Sequence, residues 1–186
     1  MKKIIIFVIC ILFSVPAFGG GIYFLNIDEY DPVTGYFYKG VEISEKSGFL
    51  KSGSNRTIDI YVYSPEEDKG TYIFNGENMD KIVTFLYETS FSEKSGSIVF
   101  NIPDGSRPIK NNTGIKKRDI RDKMLICTYN EETETYTLWI SKKRGENLTR
   151  IKSISKRIEW HVDVRNSKIR FVSQAGKNIK IESAEW

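Results

Sequence analysis

The sequence predicts a mainly β fold: an antiparallel β-sandwich or barrel-like domain with about one short α-helix. Short runs of alternating apolar and polar residues recur about every ten residues, separated by turn residues. The strand–helix alternation of a parallel nucleotide-binding sheet is absent. With 186 residues, 40% of them hydrophobic and 28% charged, the chain has the composition of a folded globular protein.

The N-terminus has the layout of a secretory signal peptide. Lys2 and Lys3 precede an apolar run from Ile4 to Phe13, and the small residues Ala17 and Gly19 follow. As a helix this run is about 15 Å long, roughly half of a bilayer core, so a permanent anchor is not expected. We predict a signal peptide over residues 1–19 and an exported bacterial protein, periplasmic or extracellular.

The mature chain reads as a series of strands joined by turns. The sequence Asn130-Glu131-Glu132-Thr133 separates two alternating runs and predicts a β-hairpin. The predicted strands are Ile22 to Ile27, Tyr36 to Ile43, Thr57 to Tyr63, Thr71 to Phe74, Ser97 to Ile102, Lys123 to Tyr129, Glu134 to Ser141, Leu148 to Ile154, Arg157 to Arg165, Lys168 to Ser173 and Asn178 to Glu182.

One segment, Asn78 to Thr89, has the spacing of a helix. Met79, Ile82, Val83 and Leu86 fall at i, i+3, i+4 and i+7, and Asn78 is a suitable N-cap. The β-branched residues within it leave a strand as the alternative.

Residues 20–186 are predicted to form a single mainly β domain. The longest predicted loop, residues 103–114, holds two Pro and two Gly and is the best place for a subdivision. Removal of the signal peptide takes Cys10 with it and leaves Cys127 alone, which excludes an internal disulfide. Cys127 stands in an apolar run, so we predict a buried core residue.

Charge is divided along the chain. Residues 20–104 carry 7 Lys+Arg and 14 Asp+Glu, whereas residues 105–186 carry 19 and 10. Such asymmetry can indicate an anionic partner, or it can mean that the two halves attract each other within the fold. Nucleic acid is not an expected partner, because the basic clusters lack interleaved aromatic residues and the chain is predicted to be exported.

Two groups of residues are candidates for a binding surface. The first is the aromatic strip on predicted strands, above all Tyr61 and Tyr63, which share a strand face. The second is the basic cluster Lys142, Lys143 and Arg144 at a strand end. Both have structural alternatives: aromatic rings also pair within a sandwich, and charged residues at strand ends are ordinarily solvated.

A single histidine offers the only candidate for catalysis. His161 alternates with Glu159 and Asp163 on one strand face, which suits general acid–base chemistry. No nucleophile and no further metal ligand is identifiable from the spacing, and a solvent-facing histidine is the ordinary alternative. Asp28, Glu29 and Asp31 crowd one turn but lack calcium-loop spacing. We predict no cofactor, no metal and no assigned catalytic residue.

These observations favour an exported binding protein that acts through another protein, such as an inhibitor or immunity-type protein, an envelope-assembly subunit or an adhesion module. The alternatives are an envelope hydrolase that uses Glu159, His161 or Asp163, and a module that binds anionic polymers or carbohydrate. A hydrolase predicts a concave pocket around His161, a sugar binder predicts exposed coplanar tyrosines, and a protein binder predicts a flat or convex apolar patch.

Overall fold

A computed structural model describes residues 27–44, 55–102 and 108–186 of the chain. The described residues form thirteen β-strands, and no helix occurs among them. The strands are β1 (Asp28–Tyr30), β2 (Phe37–Ser44), β3 (Asn55–Ser64), β4 (Lys69–Tyr72), β5 (Lys81–Ser92), β6 (Ser97–Phe100), β7 (Ile109–Lys110), β8 (Met124–Asn130), β9 (Thr135–Ser141), β10 (Thr149–Ser155), β11 (Glu159–Asp163), β12 (Lys168–Ala175) and β13 (Asn178–Glu185).

The strands assemble into three open sheets. The first sheet has the order β1-β2-β3-β4, the central sheet β10-β9-β8-β5-β6, and the third sheet β13-β12-β11-β7. The pairs are antiparallel except for β7 beside β11. The mainly β, sandwich-like prediction is therefore confirmed, and no sheet described here closes into a barrel.

The central sheet is covered on both faces. Along β8, Met124 and Ile126 pack against the first sheet, whereas Leu125 and Cys127 pack against the third sheet. Side chains alternate between the two faces of a strand, so a strand between two layers must be apolar at every position. This explains the unbroken run Met124-Leu125-Ile126-Cys127 and confirms that Cys127 is buried, at 1% exposure. Burial raises the pKa of its thiol.

The hairpin predicted around Asn130 to Thr133 is confirmed. Strands β8 and β9 pair from Met124 opposite Ser141 to Asn130 opposite Thr135. Leu138 faces the third sheet, while Trp139 faces the first and packs edge-on against Phe74 at 5.5 Å between ring centroids. Both faces of this hairpin therefore contribute to a core.

The predicted helix from Asn78 to Thr89 is wrong, because most of this segment is the long strand β5 (Lys81–Ser92). The pairing register with β8 shifts between Ile82 and Thr84, which places Ile82 on the same face as Phe85. Leu86 points to the opposite core. A strand buried on both faces and interrupted by a bulge loses its period of two, and the remaining apolar spacing imitates a helix.

The predicted loop over residues 103–114 contains a short strand. Ile109–Lys110 (β7) pairs in parallel with β11, and Ile109 is buried in the core between the central and third sheets. This part of the segment therefore belongs to the third sheet rather than to a linker.

Two predictions concern the N-terminus. The signal peptide of residues 1–19 and the strand predicted from Ile22, apart from Ile27 itself, lie outside the described residues. Across the portion of the chain that is described, no helix has the length and apolar character needed to span a membrane.

Candidate functional site

The outer face of the first sheet carries a set of aromatic side chains. Residues directly opposite each other in antiparallel strands share a face. Tyr30 lies opposite Phe37, and Phe37 lies opposite Tyr63. In the next row, Tyr61 lies opposite Tyr72. We call Tyr30, Phe37, Tyr61, Tyr63 and Tyr72 the aromatic face.

The aromatic face is open to solvent. Tyr30, Phe37 and Tyr72 are 54%, 48% and 50% exposed, and Tyr61 and Tyr63 are partly exposed. The inward residues of the same strands, such as Tyr38 and Ile60, complete the core instead. Large aromatic rings that remain exposed over a filled core indicate an interaction surface.

Neighbouring rings on this face contact each other. The centroids of Tyr30 and Phe37 are 4.9 Å apart with a 46° angle between ring planes, and those of Tyr61 and Tyr72 are 5.0 Å apart at 57°. The hydroxyl of Tyr63 donates a 2.7 Å hydrogen bond to Asp68, which raises the pKa of that tyrosine. The rings therefore hold one another in place on rigid strands.

Gly70 fixes the position of Tyr61. A Cβ atom placed on Gly70 would lie 1.9 Å from the Tyr61 hydroxyl oxygen, so the ring lies directly across the glycine backbone. A glycine in a strand leaves a gap that a cross-strand aromatic ring can cover. The absence of a side chain at Gly70 is therefore what allows the Tyr61 ring to lie there.

Acidic residues surround the aromatic face. Asp28 pairs with Lys39 at 2.6 Å on the face itself, and Asp68 and Glu66 stand in the β3–β4 turn. An open depression of about 490 Å³ lies at one end, lined by Tyr30, Phe37 and Glu66 among others. The arrangement is an apolar centre with a mostly negative rim.

The sequence prediction located only part of this face. Tyr61 and Tyr63 share this face, as the alternation along their strand predicts. Tyr38 and Phe74, two other aromatic residues on predicted strands, are core residues instead. Tyr30 and Phe37 were missed. The turn Asp31-Pro32-Val33-Thr34-Gly35 between them was a usable signal, because a tight turn sets the residues on either side of it opposite each other.

The predicted basic cluster is divided between three environments. Lys142 is exposed and pairs with Glu146 at 3.5 Å. Arg144 pairs with Glu67 and lies beside Val62 and Thr71, on the core side of β4. The three residues therefore do not form one surface with the aromatic face.

Lys143 corrects the prediction of a solvated binding cation, because its side chain is fully buried. Its ammonium group donates to Asp31 Oδ2 at 2.8 Å and to the carbonyl oxygen of Glu88 at 2.7 Å. It also lies 5.2 Å from the centroid of the Tyr87 ring. Lys143 is a structural residue that ties the β9–β10 turn to the first sheet.

A second buried carboxylate lies close to this pair along β5. Glu88 accepts two hydrogen bonds from the Arg118 guanidinium, at 2.6 and 2.7 Å, and one from the Arg121 backbone N–H at 3.0 Å. The Trp186 indole N–H adds a fourth at 3.2 Å. Burial alone raises the pKa of Glu88, but the hydrogen bonds outweigh it and hold that pKa below its usual range.

These contacts explain the division of charge along the chain. Acidic residues before position 104 pair with basic residues after it, and the pairs are Asp31 with Lys143, Glu67 with Arg144, Glu88 with Arg118, and Glu93 with Lys117. Internal attraction between the two halves thus accounts for part of the asymmetry.

The histidine strand borders an open groove between the central and third sheets. The groove has a volume of about 830 Å³, and its lining includes Cys127, Trp160, Glu159 and His161. Burial, together with Lys110 and Arg170, outweighs Asp163 and Glu159 and lowers the pKa of His161.

Asp163 is not available as a catalytic carboxylate. It is 4% exposed and accepts hydrogen bonds from Asn111, Asn166 and Arg170. These bonds outweigh the effect of burial and lower its pKa. Of the titratable side chains on β11, His161 and Glu159 therefore line the groove, whereas the Asp163 carboxylate is occupied by its own hydrogen bonds.

The turn carboxylates that could have suggested a calcium ion have separate partners. Asp28 pairs with Lys39, Glu29 accepts a hydrogen bond from Asn101, and Asp31 holds Lys143. No cluster of three or more metal-ligating side chains occurs within residues 27–44, 55–102 and 108–186.

No protein-family model, no curated protein and no solved structure matches this chain.

Proposed function

We propose that this protein is an exported binding protein, periplasmic or extracellular, that recognises another protein through the aromatic face. The observation that carries the proposal is the group of five aromatic side chains, in two neighbouring rows, on the solvent side of the first sheet. Tyrosine and other aromatic residues are enriched at protein interfaces and frequently dominate the binding energy.

The geometry favours a protein over a sugar as the partner. Stacking on sugar rings needs a flat platform, whereas the paired rings here are tilted by 46° and 57°. Rings fixed on strands lose little conformational freedom on binding, which suits hot-spot residues. The acidic rim favours a partner whose apolar centre is surrounded by basic residues.

The test combines partner capture with variants of the face. Tagged protein is incubated with the cell envelope of its host, captured proteins are identified by mass, and binding of each purified candidate is measured. Phe37→Ser and Tyr72→Ser remove exposed rings, so we expect at least tenfold weaker binding, mainly through faster dissociation. Tyr129→Ser, which removes a partly exposed ring on β8, is the matched control.

Salt dependence tests the electrostatic part. We expect the association rate to fall as ionic strength rises, because exposed charges are screened beyond about 8 Å at physiological salt. Unchanged binding in both Phe37→Ser and Tyr72→Ser would reject the aromatic face as the binding site.

A second candidate is an envelope hydrolase, and the groove beside His161 is the observation that favours it. It predicts turnover of an envelope polymer that His161→Ala abolishes. The binding proposal predicts that His161→Ala leaves partner affinity unchanged. A module for anionic polymers would instead bind through the basic second half and would be insensitive to Phe37→Ser.

A further inference from the structure

The last strand of the third sheet has an open edge. β13 ends the strand order of that sheet, and no other described strand pairs with its outer side. Ile179 and Ile181 on this strand are 65% and 61% exposed, among the most exposed large apolar residues described. Open edges with exposed apolar residues are templates for pairing with another strand.

The hydrogen-bond pattern shows which backbone groups are free to pair. The Trp186 N–H donates to the Ser167 carbonyl across β12 and β13. Bonded and non-bonded pairs alternate along antiparallel strands. The N–H and C=O groups of Ile179, Ile181 and Ser183 therefore point away from β12, toward the open edge.

The sequence of β13 complements itself in one antiparallel register. If Ile181 faces Ile181 of a second copy, Lys180 lies opposite Glu182 on both sides of the symmetry axis. Within the chain Glu182 pairs with Lys152 and, at 2.5 Å, with Lys180. The side chains of Lys180 and Glu182 remain 72% and 40% exposed, so each can also meet its counterpart across the edge.

The neighbouring registers are disfavoured by charge. Pairing must match outward-pointing residues, so the register changes in steps of two. One step places Lys180 opposite Lys180, and the other places Glu182 opposite Glu182. Like charges directly opposite each other are destabilising.

We propose that β13 is a self-association edge, at which two copies of this chain pair antiparallel with Ile181 opposite Ile181. The pairing joins the two third sheets into one continuous sheet and brings the exposed Ile181 side chains of the two copies together. A single strand edge is smaller than a standard interface of about 1,600 Å². We therefore expect a weak dimer that forms only at high protein concentration. The aromatic face of each copy lies on a different sheet and is not used.

The test is sedimentation of the purified protein over a wide concentration range. We expect a concentration-dependent dimer whose dissociation constant rises at least tenfold in Ile181→Lys, because two lysines then meet at the symmetry axis. Met79→Lys places the same charge at another residue that is 60% exposed, and this control should dimerise normally.

Charge exchange tests the register. Lys180→Glu places acidic residues opposite each other and should weaken the dimer, whereas Lys180→Glu combined with Glu182→Lys restores opposite charges and should recover it. Slow labelling of the buried Cys127 in each variant shows that the fold is intact.

Two outcomes overturn the proposal. One is a wild-type protein that stays monomeric at the highest concentration reached. The other is a dimer that survives Ile181→Lys and is lost in Phe37→Ser, which would place self-association on the aromatic face. Neither outcome depends on whether the proposed binding partner has been found.

Discussion

Lys142 and Lys143 are adjacent in sequence, yet Lys142 is exposed and Lys143 is completely buried. The difference lies in their partners. Lys142 pairs with Glu146 on the surface, whereas Lys143 pairs with Asp31 inside the fold. A buried charge is tolerated only when it is paired and hydrogen-bonded. The local sequence contains Glu146 but not the partner of Lys143, because Asp31 lies 112 residues away along the chain.

Replacing Lys143 with methionine should therefore be strongly destabilising. The variant leaves the Asp31 carboxylate buried without its cation, and we expect a loss of about 3–5 kcal/mol in the free energy of unfolding. Urea denaturation measures it, with Lys142→Met as the exposed control, for which a change within about 0.5 kcal/mol is expected. Equal effects at the two positions would contradict the buried ion pair.

Glu88 gives the stability of the protein a pH dependence. Its pKa in the folded protein is lower than the usual 4.5. Its contribution is therefore fully present above pH 4.5, and it is lost as the pH falls through the lowered folded value. We expect the wild type to lose stability in acid over this range, measured by urea denaturation between pH 7 and about pH 3.

In Glu88→Gln that loss should be smaller, starting from a lower stability at neutral pH. Glu93→Gln is the matched control, since Glu93 pairs with Lys117 on the surface with both side chains 73% exposed. A wild-type profile in Glu88→Gln would mean that another carboxylate sets the acid limit.

Tyr61 depends on Gly70 in β4 for its position on the aromatic face. Because Tyr61 lies across Gly70, the change Gly70→Ala should push the ring out of the aromatic face. Tyr61 is partly exposed, so its ring can move into solvent and the cost in stability should be small. We expect weaker binding to the partner. A double-mutant cycle that combines Gly70→Ala with Tyr61→Ala tests whether the loss of affinity acts through the Tyr61 ring.

In the cycle, Gly70→Ala should have no further effect on binding once Tyr61 is already alanine. Additive effects of the two changes would show that Gly70 acts on binding independently of Tyr61.

Whether a strand could be predicted from the sequence depended on how many of its faces are buried and on whether a bulge interrupts it. The β8–β9 hairpin was predictable because polar turn residues separate two strongly patterned runs. β5 was not, because burial on both faces and the bulge after Ile82 removed its period of two. Likewise, the pattern placed Tyr61 and Tyr63 on one face, but only the sheet order shows that this face is the solvent side.

At the scale of the whole molecule, opposite charges draw the two halves of the chain together. Among the residues that the structure describes, four ion pairs join acidic residues of the first half to basic residues of the second. The divided charge was visible in the sequence, which left open whether its cause lay inside the fold or in a partner. These four pairs assign part of the asymmetry to the fold.

Export of the protein and removal of its predicted signal peptide can be tested directly. We expect N-terminal sequencing of the protein recovered from the exported fraction to begin within a few residues of Gly20, because the small residues Ala17 and Gly19 suit signal peptidase. An intact Met1 on protein from the membrane fraction would contradict the predicted signal peptide. The Lys2→Glu, Lys3→Glu variant, which reverses the positive start, should be exported less efficiently.

The Asp31–Lys143 pair can form only late in the synthesis of the chain. The two residues are 112 positions apart, so Asp31 has left the ribosome long before its cation exists. The core beneath the first sheet also needs residues 82–126, so that sheet cannot be completed early. Long-range closure of this kind is slow. In a protein exported as proposed, late closure of this core would favour an unfolded nascent chain, the form in which a chain is threaded across a membrane.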